Sequence, residues 1–122
     1  MKLAVCARAE GPDAPVDDRF GRCPYFVITD LESGEVKSLL NDGVGASGGA
    51  GPQAASLLSE NGVDAVVVGN IGPNAVRVLE ASGIRVYSGL KDTVKETVEK
   101  YKKGELTSVS NPSVPSHFGL RR

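Results

Sequence analysis

One histidine, His117, and two cysteines, Cys6 and Cys23, are all the imidazole and thiol that this 122-residue chain has. That scarcity leaves no Cys or His pair at zinc spacing. It also leaves no base placed to activate either thiol as a nucleophile. Two cysteines do not make a disulfide framework, and in a reducing cytosol they are expected as free thiols. An excess of one charge is lacking too: the net charge is −1, which argues against a nucleic-acid partner. No stretch reaches the roughly 18 apolar residues of a membrane span. The apolar run after Met1-Lys2, Leu3 to Ala7, is too short for a signal-peptide core. These absences predict a cytoplasmic protein with neither membrane nor nucleic acid as partner, and the length allows one hydrophobic core.

Glycine is abundant instead. The chain has 15, about twice the average share of roughly 7%, and close backbone approach to a ligand is one reason for such an excess. Around these glycines the elements read in order. Leu3 to Ala7 is a central strand with few polar positions. Residues 9–23, rich in Gly, Pro and Asp, form a long loop of the kind that is functional or mobile. Tyr25 to Thr29 and Glu35 to Leu40 form a hairpin turned at Gly34. A Gly-rich loop over 41–51 leads to a helix whose first turn suits Pro52 and which Gly62 stops. Asp64 to Val68 is a buried strand, Pro73 opens a second helix closed by Gly83, and Ile84 to Tyr87 is the last strand. Asp92 or Thr93 caps a third helix, ended by Gly104. The expected domain is residues 1–105, with 106–122 a poorly ordered tail.

Gly51, Pro52, Ala54, Leu58, Gly62 and Val63 recur 21 residues on as Gly72, Pro73, Ala75, Leu79, Gly83 and Ile84. Two helix–strand units thus share start and stop chemistry, and right-handed crossovers put both helix starts at one edge of the sheet. There the first strand ends at Cys6-Ala7-Arg8 and the fourth at Gly69-Asn70-Ile71-Gly72. In open α/β sheets that crevice is the usual ligand site. Free amides at helix N-termini favour an anion. Gly48, Gly49, Gly51 and Gly72 would let the backbone come close to it, and Arg8, Arg19 and Arg22 would add charge. Helix capping alone would also explain Gly72, and plain solvation would explain Arg19 and Arg22 beside a core-anchoring Phe20.

Enzymatic motifs fail on inspection. Gly43, Gly45 and Gly48 fit G-x-G-x-x-G, but the strand before them is a hairpin arm, and Asp64 begins a strand where a ribose-binding acid should end one. No Walker sequence occurs. Residues 3–7 hold no carboxylate for a metal-dependent nuclease, and Asp13, Asp17 and Asp18 read as solvated turn residues. Cys6 and Cys23 read better as soft metal ligands, their pKa lowered by nearby arginines. A small buried core residue is the plainer reading of Cys6.

Four ordered segments carry a resemblance. They are Met1-Lys2-Leu3-Ala4-Val5; Asp18-Arg19-Phe20-Gly21-Arg22-Cys23-Pro24-Tyr25-Phe26; Gly48-Gly49-Ala50-Gly51-Pro52-Gln53-Ala54-Ala55; and residues 66–73, ending Gly-Asn-Ile-Gly-Pro. In these the chain resembles the dinitrogenase iron–molybdenum cofactor biosynthesis family of NifX/NifB-type accessory domains, over residues 1 to about 105. The resemblance implies an RNase H-like α/β fold with a mixed five-stranded sheet, three antiparallel strands followed by two helix–strand units. It also implies non-enzymatic binding or delivery of an anionic metal–sulfur cluster, whether iron–sulfur, iron–molybdenum or molybdenum–copper sulfide, passed between donor and acceptor proteins. Backbone amides and arginines suit such sulfides. Several members of the family carry histidine where this chain has Arg19, so holding by charge and hydrogen bonds is expected in place of ligation there. The predicted binding residues are Arg8, Arg19, Phe20, Gly21, Arg22, Gly48, Gly49, Gly51, Asn70, Ile71 and Gly72, with Cys23 and Cys6 as soft ligands. The competing expectation is a small interaction or regulatory domain that takes a partner protein or a phosphate-bearing metabolite in the same crevice.

Overall fold

Lys2–Ala7 (β1) runs through the middle of the sheet, and its last five residues are buried. A strand covered on both faces needs apolar side chains at odd and even positions alike, which Leu-Ala-Val-Cys-Ala supplies. In the computed structural model, which describes residues 1–41 and 50–109, β1 pairs antiparallel with β2 (Tyr25–Asp30) and parallel with β4 (Ala65–Val68). β3 (Val36–Leu40) continues the antiparallel side, and β5 (Arg85–Ser88) adds a further parallel strand beyond β4. The sheet has six strands, in the order β3-β2-β1-β4-β5-β6. The five-stranded expectation is therefore corrected. The sixth, β6 (Thr107–Val109), lies beyond the segment read as the domain and pairs antiparallel with β5. Its three residues are polar or half-exposed and pair through the backbone, so no side-chain alternation marks them.

The period of two sorts the core into two layers. Ala4, Cys6, Phe26, Ile28, Val66 and Val68 face α1 (Ala50–Glu60) and α2 (Pro73–Ala81), meeting Ala54, Leu58, Ala75 and Leu79. Leu3, Val5, Ala7, Val27 and Val67 face the opposite way, onto Val94 and Val98 of α3 (Val94–Lys102). The 21-residue echo holds at the helix ends. Gly62 and Gly83 both take positive φ, and the next amide, of Val63 or Ile84, donates back to Leu58 or Leu79. At the starts the echo is looser, because Gly51 lies inside α1 while Gly72 precedes α2 as its N-cap.

Residues 9–18 are strapped to the fold. The amides of Val94 and Lys95, at the start of α3, donate to the Ala14 and Pro12 carbonyls at 3.0 and 2.8 Å, and Val16 donates to Asp92 at 3.1 Å. Among the described residues, no helix is long and apolar enough to cross a membrane.

Candidate anion-binding cleft

At the carboxyl ends of β1 and β4 the chain opens a cleft of about 260 Å³ lined by Phe20, Arg22, Gly51, Pro52, Gly72, Asn74 and Ala75. Three stretches far apart in sequence meet there: the arginine turn and the starts of α1 and α2. The start of α2 is uncapped. Gly72 has no side chain to accept from it, Pro73 has no N–H, and the first intrahelical bond runs from the Val76 amide to the Gly72 carbonyl at 3.2 Å. The Asn74 and Ala75 amides donate to no partner among the described residues, and no acidic residue stands in the first turn. The positive end of the helix dipole therefore faces the cleft.

The glycines around this cleft exist for different reasons. A Cβ on Gly69 would come within 2.8 Å of the Asp18 carbonyl oxygen and 2.9 Å of its Cα, so packing dictates that glycine. At Gly51 a Cβ would meet that of Ala75 at 3.1 Å, which lets α1 and α2 approach closely. Gly72 is unlike both. Its φ of −81° and ψ of 160° suit any residue, and a Cβ there meets nothing within 4 Å among the described residues. Neither conformation nor packing demands a glycine, whereas room for a ligand would.

Arg22 reaches the cleft on a tight turn. Gly21 has φ 89°, and the Arg22 amide donates to the Arg19 carbonyl at 3.1 Å. Buried Asn41 braces the turn, its Nδ2 donating to the Gly21 and Cys23 carbonyls at 3.1 and 2.9 Å. Phe20 anchors it in the core against Phe26, with ring centroids 5.7 Å apart. Arg19 goes elsewhere: Nε and Nη2 donate to Asp17 Oδ1 and Oδ2 at 3.1 and 2.9 Å. Asp17 itself is 1% exposed, which corrects its reading as a solvated turn residue. The Arg19 hydrogen bonds hold its carboxyl below the usual range, and the Arg8 charge assists. Arg19 is thus paired with Asp17, Arg8 is exposed and acts on Asp17 through its charge, and Arg22 lines the cleft.

The loop after β4 offers fewer donors than expected. The Asn70 amide is spent on the Asp18 carbonyl, and the Asn70 carbonyl accepts from Phe20 at 3.1 Å. Ile71 packs against the core layer under α1 and α2. Gly48 and Gly49 lie outside the described residues. Cys6 and Cys23 have no exposed surface. The Cys6 thiol is pushed well up, first by its hydrogen bond with Cys23, then by burial and the charges of Cys23 and Asp17. That is the reverse of the lowering expected from the arginines: the neighbouring thiol and burial act on Cys6 instead, and Arg19 is paired with Asp17. Among the described residues no group of three or more His, Cys, Asp or Glu could hold a metal ion.

Sequence reasoning missed Asn74 and Ala75, although a proline at the first helical position exposes the next two amides. A larger groove of about 400 Å³ involves Lys2, Asp30, Glu35, Lys37 and Asn61 at the other end of β1. Its charges are of both signs and no helix begins there, so it lacks the chemistry of an anion site.

The family model described as "Dinitrogenase iron-molybdenum cofactor" matches residues 1–104. The apo form of the orange protein from Desulfovibrio gigas superposes with a TM-score of 0.87 at 33% identity, over 93% of this chain and 96% of that one. The NMR structure of a Thermotoga protein of the DUF35 family gives 0.76 at 31% identity, over 97% and 98%. An uncharacterized protein of Methanocaldococcus jannaschii, MJ0580, is 35% identical over 100 residues, which cover 75% of this chain and 85% of that protein.

Proposed function

Because the chain belongs to the dinitrogenase iron-molybdenum cofactor family, we propose that it is a non-enzymatic carrier or scaffold for an anionic metal–sulfur cluster. The cluster sits in the cleft between the starts of α1 and α2. One observation carries this reading: a helix start without a side-chain cap, an arginine and a glycine above which no described residue stands line the same cleft. Amides and a guanidinium donate to sulfide without forming a metal bond, so the cluster is held by charge and hydrogen bonds. Arg22, Phe20, Gly51 and Gly72 form the wall, Gly21 shapes it, and Gly48 and Gly49 belong to the segment that leads into α1. Arg8, Arg19, Asn70 and Ile71 flank it. The cleft is compact, which suits an inorganic cluster better than a nucleotide.

The cargo is of the iron–sulfur, iron–molybdenum or molybdenum–copper sulfide type, taken from one protein and given to another in the cytoplasm. Residues 1–105 form the binding domain. The sheet order fits an RNase H-like fold, to which we assign it. The test is incubation of the apo-protein with tetrathiomolybdate, with and without copper or iron, followed by desalting. Retained metal and a visible absorption band are expected; neither appearing would overturn the reading. The uncapped α2 start would also suit a phosphate ester. Thermal stabilisation by phosphate esters and not by thiometalates would favour a metabolite-binding regulatory domain instead.

A further inference from the structure

The sheet is open along β3, its terminal strand, which pairs with β2 alone among the described residues. Two bonds fix which way its backbone points. The Asp30 amide donates to the Glu35 carbonyl at 2.8 Å, and the Asn41 amide donates to the Pro24 carbonyl at 2.9 Å. Antiparallel ladders alternate, so Glu35, Lys37, Leu39 and Asn41 turn inward to β2. Val36, Ser38 and Leu40 turn their N–H and C=O groups outward, where they bond no described residue. The side chains of these same residues share one face. Val36 and Leu40 are the exposed large apolar side chains of the described residues, at 36% and 54%. A row of free backbone groups is a template for another strand. This row, apolar then serine then apolar, is its own complement when inverted.

We propose that β3 pairs antiparallel with β3 of a second copy of this chain, about a two-fold axis at Ser38. Val36 then lies opposite the partner's Leu40 and Ser38 opposite the partner's Ser38, and every outward amide finds a carbonyl. Each exposed side chain gains an apolar neighbour about 5.5 Å away, Cα to Cα. Neighbouring registers fail. Sliding Val36 opposite the partner's Ser38 sets Lys37 against the partner's Lys37, and like charges directly opposite destabilise. Sliding Ser38 opposite the partner's Leu40 carries Val36 past the end of the partner's strand. A strand of 5 residues a side makes an interface below the roughly 1,200 Å² of stable complexes, so association is weak and reversible. β3 runs the same way as β1, both being antiparallel to β2. The two anion clefts therefore open at opposite ends of the joined sheet, away from the seam.

Sedimentation velocity on the full chain, from about 10 μM to about 1 mM, should show a monomer–dimer equilibrium. Val36→Lys, at an exposed position, should weaken it at least about tenfold. That variant should take up tetrathiomolybdate as the unaltered chain does, so this proposal and the cleft reading can fail separately. Cross-linking reads the register. Val36→Cys mixed with Leu40→Cys should form a disulfide-linked pair under mild oxidation with diamide, since opposed Cα atoms lie within reach of one. Neither variant should link alone, and Cys6 and Cys23 have no exposed surface with which to compete. On the unaltered chain, which needs no variant to fold, the Val36, Ser38 and Leu40 amides should gain protection from deuterium exchange as concentration rises. A monomer at every concentration, a dimer indifferent to Val36→Lys, equal linking of either cysteine variant alone, or amides already protected in the dilute monomer would each overturn it.

Discussion

Two helices begin at the same edge of the sheet and treat their first amides in opposite ways. At α3 every early donor is used. Thr93 and Glu96 form a reciprocal capping box, and the Val94 and Lys95 amides donate to Ala14 and Pro12. Glu96 adds a carboxylate in the first turn. At α2 the cap is a bare glycine, the first turn has no acid, and two amides face the cleft. The closed start builds the protein, fastening the 9–18 loop to the back of the sheet. The open start leaves that binding capacity for something else. A helix end left unsatisfied costs stability unless a partner arrives, and on that contrast the proposed ligand site at α2 rests.

The strongest way to break the contrast is to close α2. Gly72→Asp should add a cap at a position whose backbone and surroundings accept a side chain. It should leave the melting temperature unchanged or slightly higher, since a capping Asp exceeds Gly by only a few tenths of about 1 kcal/mol. Its carboxylate would oppose an anionic ligand by about 4 kcal/mol at about 4 Å near a surface. Thiometalate affinity, followed by equilibrium dialysis, should therefore fall about 100-fold or more. Next in size, Arg22→Ala removes one charge-assisted contact, and affinity should drop about 10- to 100-fold. The opposite perturbation is Thr93→Ala. It should cost about 1 kcal/mol of stability in denaturant melts and leave thiometalate affinity where it was. Smallest is an acid effect. Asp17 is held below its usual pKa, so its contribution is complete above the unfolded value of about 3.9 and is lost as pH falls through the lower folded one. Asp17→Asn should flatten the acid limb of stability against pH; an unchanged slope would mean the Arg19 fork does not hold in solution.

Much of this architecture could be read before any coordinates. Proline and glycine bracket α2, the unbroken apolar run from Leu3 to Ala7 announces a strand covered on both sides, and Asp92 or Thr93 marks the start of α3, where the structure selects Thr93. These signals are local, and local chemistry is what a sequence displays. Other features depend on partners brought in from elsewhere. Asp17 looks like any turn aspartate until Arg19 folds back over it. Gly69 and Gly72 are indistinguishable as letters, yet one is pressed against Asp18 and the other meets none of the described residues. β6 has only three residues and owes its existence to the open edge of β5. The convergence of Arg22 with Gly51 and Gly72 was inferable because parallel strands must send their helices back from one edge. The loss of Arg19 to an internal ion pair was not.

The clamp between Pro12, Ala14 and the first amides of α3 has a mechanical consequence. The stretch leading into the arginine turn is tethered at its far end to a helix on the reverse side of the sheet, so tension at one place is felt at the other. Anything that grips the front should slow deuterium uptake by Val94 and Lys95 at the back, where no ligand reaches.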